Sequence, residues 1–136
     1  MDIKKENYQI KPNSIGFYQN LDHLDGLGIS AVSAGLYENQ KRDDLVIFYF
    51  RKGATHASVY TQSNIRSENI KWNLKNSKEK IYGLLVNTRN ANAFTGKEGY
   101  DSINNIANLL AEKLSIKQNN DEEIPKKIQL KNLLFA

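Results

Sequence analysis

No cysteine occurs in the 136 residues of this chain. That excludes disulfides and thiolate-held metals, and it fits a reducing compartment. Histidine is nearly as scarce. His23 and His56 are far apart and form neither an H-x-x-x-H nor an H-E-x-x-H pair. No cluster of acids supplements them, so no metal site is expected and both histidines read as structural or surface residues. No stretch approaches the roughly 20 apolar residues that a membrane-spanning helix needs. Met1 to Glu6 is polar and lacks the apolar centre of a secretory signal. The expectation is therefore a cytoplasmic protein with no membrane partner. There is no G-x-x-x-x-G-K-[ST] phosphate loop and no G-x-S-x-G elbow, and Gly26-Leu27-Gly28 is too short for a dinucleotide fingerprint. Asp43-Asp44 and Glu122-Glu123 are adjacent pairs whose side chains point apart in any regular structure. They read as surface charge rather than an acid–base pair.

What is present is ordinary for a globular domain. The chain is 40% hydrophobic and 25% charged, and its length suffices for one domain with a real core. The net charge of +4 comes from scattered lysines, with short clusters at Lys4-Lys5 and Lys126-Lys127. No basic stripe alternates with stacking aromatics, so no nucleic-acid partner is expected. Lys113, Lys117, Lys126, Lys127 and Lys131 read as a solvated surface.

Residues 1–14 are polar and predict a flexible N-terminus, followed by a single α+β domain over 15–136. Ile15, Phe17 and Leu21 begin the apolar pattern. The small residues from Ile29 to Tyr37 predict a strand packed closely against another layer. Leu45 to Phe50 is a continuous run of β-favouring residues, the signal of a central buried strand. Ala57 to Thr61 predicts a third strand. Ile70-Lys71-Trp72-Asn73-Leu74 alternates like a half-exposed strand, and Ile81 to Val86 reads as another buried one. The clear helix covers 97–115, where Tyr100, Ile103, Ala107, Leu110 and Leu114 recur at helical spacing and Ile106 and Ala111 widen the apolar face. Thr95 and Glu98 have the T-x-x-E spacing of a capping box. The polar stretch 119–125 is a loop, and Ile128 to Phe135 predicts a final strand or docking segment.

The most informative stretch is the strand-to-helix crossing from Val86 to Gly96. It concentrates Asn87, Asn90, Asn92, Thr88 and Thr95 among small residues. Asparagine amides donate and accept at once, so they can hold a polar ligand or fix a loop. Loops on rigid elements are common places for sites. The competing reading is a structural turn whose asparagines satisfy local backbone groups.

This crossing resembles the N-S-G-N-A-N-A-x-T-G motif of the ornithine acetyltransferases, also called bifunctional glutamate N-acetyltransferases, of arginine biosynthesis. Here it reads Asn87-Thr88-Arg89-Asn90-Ala91-Asn92-Ala93-Phe94-Thr95-Gly96. Three further segments are similar in the same order: Gly28 to Gly35, Asp44 to Ile47 as the family's D-L-A-L-I strand, and Ala57 to Asn64 as its A-G-V-F-T-x-N segment. The resemblance extends from about Gly16 to Ala136. It implies a share in a layered αββα-type sandwich. It also implies a precursor that cuts itself before an internal threonine, which then heads a second chain as nucleophile. That threonine moves acetyl from N-acetylornithine to glutamate, and acetyl-coenzyme A is a further acetyl donor in bifunctional members. No bound cofactor is expected.

On this resemblance Asn87, Asn90, Asn92, Thr95 and Gly96 are the active-site scaffold or substrate-proximal loop. No catalytic residue lies in the chain, because the family's Thr-Gly oxyanion pair and its nucleophile belong to later segments. The 136 residues are accordingly expected to be an incomplete front part of a larger subunit, inactive alone. Their expected partners are the rest of the precursor or the threonine-headed chain. Arg89 stands where the family has glycine and would crowd the loop, and Ser58 stands where glycine is common. The alternative is a non-catalytic α+β binding or interaction module.

Overall fold

The computed structural model describes residues 24–39, 42–78, 80–88, 92–118 and 127–136. Four strands form one sheet in the order β1 (Leu27–Val32), β2 (Leu45–Ala54), β3 (Ile81–Asn87), β4 (Leu133–Phe135). The first three run antiparallel, and β4 joins β3 in parallel. Helix α1 (Glu68–Asn76) lies between β2 and β3, and α2 (Gly96–Gln118) lies between β3 and β4. The parallel β3–β4 pair requires a long crossover, and α2 supplies it. The α+β class expected from the sequence is the class observed, with a second helix in addition to the one anticipated.

Register and strand alternation sort the sheet into two faces. Ile47, Tyr49, Leu85, Leu133 and Phe135 point to the helices and meet Trp72, Ile103, Ala107, Ala111 and Leu114 in the core. Trp72, Ala107 and Leu133 are fully buried. The Trp72 and Phe135 rings meet edge-on, with centroids 4.9 Å apart, a geometry worth about 0.5–1.5 kcal/mol beyond the buried area. Gly83 lets α2 approach the sheet, since a Cβ there would lie 2.9 Å from Leu114 Cδ1 and 3.0 Å from Leu133 Cδ2. The opposite face carries Ile29, Val46, Phe48, Phe50, Leu84 and Val86 by register, and Ile29 is 60% exposed. The described residues thus form one helical layer on one sheet.

Several elements differ from the sequence reading. The segment around Ile70, Trp72 and Leu74 is α1, not a strand. Consecutive residues Trp72 and Asn73 are both buried, which an alternating strand cannot achieve, and a helix turns both inward together with Glu68. Ala57 to Thr61 forms no strand, and Val59 is 99% exposed, because no strand among the described residues runs alongside them. The expected strand at 29–37 is confined to Leu27–Val32, where pairing with β2 ends. Helix α2 runs from Gly96 to Gln118 rather than 97 to 115, and Ile106 lies outside its buried stripe at 47% exposure. The final segment tightens into a 3-10 turn at Leu130–Asn132 before β4. The expectations for residues 1–14, for Ile15, Phe17, Leu21 and His23, and for the loop 119–125 lie outside the described residues.

Candidate functional site

The ends of β3 and β4, the starts of both helices and the β1–β2 connection converge on one open cleft of about 1010 Å³. Asn87, Asn92, Phe94 and Thr95 from the crossing line it, with Ser67 and Asn69 from the start of α1. Glu98, Gly99, Ser102, Ile103 and Ile106 of α2 form another wall. Ala34, Leu36, Leu45, Leu85, Phe135 and Ala136 complete it.

Asn92 is the joint of this construction. Its carbonyl accepts the Glu68 N–H at 2.8 Å, satisfying an end amide of α1 that has no partner inside its own helix. Its side-chain amide donates to Gly99 O at 3.2 Å, and its Oδ1 accepts from the Thr95 hydroxyl. One asparagine therefore ties together the N-terminal ends of both helices. The T-x-x-E spacing assigns the Thr95 hydroxyl to helix capping, but here it donates to Asn92. Gly99 has to be glycine for this knot, since a Cβ would meet Thr95 Oγ1 at 1.9 Å and Asn92 Oδ1 at 2.4 Å. Phe94, next to the knot, has a left-handed backbone with φ 61° and is 82% exposed. That conformation is costly for a bulky residue.

Asn87 closes β3, its N–H donating to Ala136 O at 3.1 Å. Gly96 starts α2 at φ 58°, with open space where a Cβ would sit. Asn90 and Arg89 lie outside the described residues. Of the five residues singled out in the crossing, the structure brings Asn87, Asn92 and Thr95 to one cleft and sets Gly96 beside them. The hydrogen bonds of Asn92 and Thr95 organise the loop itself.

Asp44 corrects the sequence reading. It is not surface charge but fully buried, and its carboxylate accepts the N–H groups of Ala34 at 2.6 Å and Leu36 at 2.7 Å. It fixes the part of the β1–β2 connection that borders the cleft. Its backbone carbonyl takes the Thr88 N–H at 2.9 Å, so the connection is also tied to the crossing. Asn69 was invisible to sequence reasoning. It lines the cleft, and its Oδ1 is shielded from solvent with no hydrogen-bond partner among the described residues. Glu98 is the one ionisable side chain in the lining. Among the described residues no group of three or more His, Asp or Glu side chains is arranged to hold a metal ion.

This architecture recurs in solved acetyltransferase structures. The arginine biosynthesis bifunctional protein argJ of Bacillus halodurans superposes with a TM-score of 0.60 at 25% identity, over 80% of this chain and 52% of that one. Ornithine acetyltransferase of Mycobacterium tuberculosis, solved with ornithine, shares the fold with a TM-score of 0.66 at 20% identity, over 82% of this chain and 55% of that one. In sequence, the chain is 34% identical over 106 residues to the arginine biosynthesis bifunctional protein ArgJ of Zymomonas mobilis, covering 77% of this chain and 26% of that protein. It is also 34% identical over 94 residues to a glutamate N-acetyltransferase of Methanothermobacter thermautotrophicus, covering 65% of this chain and 23% of the relative. The ArgJ family profile matches residues 28–124. The chain belongs to the ArgJ family, an acyltransferase family of arginine biosynthesis. It spans about a quarter of the length of these curated relatives.

Proposed function

We propose that this chain is the front part of an acetyltransferase that moves acetyl from N-acetylornithine to glutamate in the cytoplasm. Acetyl-coenzyme A would be an additional donor if the complete enzyme is bifunctional. The observation that carries this reading is the cleft itself. It lies where the family-like crossing meets the end of β4, with Asn87, Asn92 and Thr95 in its wall. In this reading Asn87, Asn90, Asn92, Thr95 and Gly96 are the scaffold beside the substrate. The remainder of a self-cleaving precursor, or a second chain headed by threonine, brings the nucleophile and the oxyanion hole. The 136 residues alone do not transfer acetyl groups, because those reacting groups are not among them. Co-expression with the later part of a family precursor should restore transfer from N-acetylornithine to glutamate, and the purified chain alone should show none. Turnover by the isolated chain, or none by the reconstituted pair, refutes the reading.

A second reading, an interaction module, is favoured by the apolar sheet face bearing Ile29, Phe48 and Leu84, which no described helix covers. In the acetyltransferase reading a second sheet of an αββα sandwich covers that face. Size-exclusion chromatography separates the two. A chain that is self-associated alone and becomes a defined 1:1 species with the later part favours the enzyme.

A further inference from the structure

Two surfaces on the same side of the molecule are left uncovered among the described residues. The first is the outer edge of β1, an end strand of the sheet that pairs only with β2. Gly26 O and Val32 O accept the N–H groups of Arg51 and Asp44 on the β2 side. Alternation along an antiparallel strand then turns the N–H and C=O of Ile29 and Ala31 outward. Free edges are normally blunted by charge, proline or a bulge. Leu27–Val32 reads LGISAV, with neither charge nor proline, and its register with β2 is unbroken.

The second surface is a flank of α2. Ile106, Leu109 and Ile116 are 47%, 55% and 56% exposed. With Lys113 they keep the i, i+3, i+7, i+10 spacing of a helix-pairing seam. This seam is separate from the buried stripe of Ile103, Ala107 and Leu114. Its direction follows from α1. Asn104 and Tyr100 of α2 meet Trp72 and Asn76 of α1, and at about 100° per residue the seam points away from them. α1 is tied to β4 at one end of the sheet, so the seam looks toward β1 at the other. Edge and seam are also level with each other. Gly83 faces Leu110 and Leu114, and the row Ser30–Ile47–Leu85 lies two strand residues further along. Two strand residues match about four helical ones, which sets Ser30 level with the midpoint of Ile106 and Leu109.

We propose that this band is a twofold interface with a second copy of the chain, pairing β1 with β1 and α2 with α2. An antiparallel strand edge complements itself. A twofold axis at Ser30 sets Ile29 of one copy against Ala31 of the other, and the two exchange N–H···O=C bonds. The same axis runs the α2 helices antiparallel, with Ile106 of one facing Leu109 of the other. Charge selects this arrangement as well. Asp101 lies near the start of α2 and Lys113 in its later half, both exposed. Antiparallel helices bring Lys113 within about 2 Å, along the axis, of the level of Asp101 in the other copy. Parallel helices would set Lys113 on Lys113. The interface does not rest on the acetyltransferase reading. The sheet face bearing Phe48 and Leu84 takes no part in it and stays free for the later part of a precursor.

Sedimentation equilibrium of the full chain should show twice the 15.5 kDa chain mass at about 100 μM and above. Leu109→Glu should weaken dimerisation at least about tenfold, because it buries a charge from each copy at the axis. Asp101→Lys and Lys113→Asp should each weaken it about threefold, and the double variant should recover. Ser30→Cys gives the chain its only thiol. At the axis its Cα lies about 4.5 Å from that of the other copy, within disulfide range. Mild oxidation should link Ser30→Cys into a dimer and leave Lys78→Cys, an exposed position at the β4 side, unlinked. The charge swap and the cross-link decide the matter even where Leu109→Glu disturbs folding. A monomer at every concentration, the result if another segment of the chain covers the edge, overturns the proposal. So does a dimer whose charge-swapped double variant fails to recover, or equal cross-linking of the two cysteine variants.

Discussion

Asn73 offers the sharpest test of how this fold is held. It sits on α1, is 3% exposed, and acts as a substitute strand for the outer edge of β4. Its amide nitrogen donates to Phe135 O at 2.7 Å, and its Oδ1 accepts the Phe135 N–H at 3.0 Å. Phe135 is itself 7% exposed, so water cannot readily replace either bond. Asn73→Ala strands one buried donor and one buried acceptor, each costing about 1–3 kcal/mol. The expected loss is roughly 3 kcal/mol, a large share of the 5–15 kcal/mol typical of whole domains. Asn73→Asp should do no better. It keeps the acceptor but sets a carboxylate against the Phe135 carbonyl in a buried site. Urea unfolding followed by tryptophan fluorescence measures the loss, since Trp72 packs edge-on against the same Phe135. Hydrogen exchange at the Phe135 amide reports the bond directly. The exposed Asn108→Ala change, which removes a bond to Asn104 O within α2, is the control and should cost under about 0.5 kcal/mol. An Asn73→Ala loss no larger than the control would mean that β4 is held by its pairing with β3 alone.

Two further changes probe the cleft walls. Asp44→Ala removes the acceptor for the Ala34 and Leu36 amides. It should cost about 2–4 kcal/mol in urea unfolding and shift the amide resonances of residues 34–36, and a change confined to residue 44 itself would contradict the clamp. Phe94→Asn should stabilise by roughly 0.5–1 kcal/mol, because asparagine tolerates the left-handed backbone and the 82% exposed ring loses little contact. A lower thermal midpoint in that variant would show that the ring packs against something in solution.

Much of the fold was legible because its strongest signals are local. The continuous run Leu45 to Phe50 forms a strand, though a half-buried one rather than the buried one expected, and the helical stripe Ile103, Ala107, Leu110 and Leu114 forms as its 3.6-residue spacing predicts. α1 was misread because Ile70, Trp72 and Leu74 alternate, while the residue that decides the matter is polar. Asn73 is buried to serve a strand 62 positions away, and no local pattern encodes that partner. Asp44 was misread for the same reason. A carboxylate beside another acid looks like surface charge until the chain folds the Ala34 and Leu36 amides onto it.

The sequence by itself determined the family, through four collinear segments centred on the crossing, and the α+β class, through side-chain periodicity. It also marked Asn87, Asn92 and Thr95 as belonging to one unusual loop. Only the tertiary structure decided what those residues do. Hydrogen bonds are short and directional, so the role of an asparagine depends on which donor or acceptor lies within about 3 Å of it. Asn92 joins two helix ends, while Asn69, unremarkable in the sequence, is left with an oxygen that nothing among the described residues satisfies.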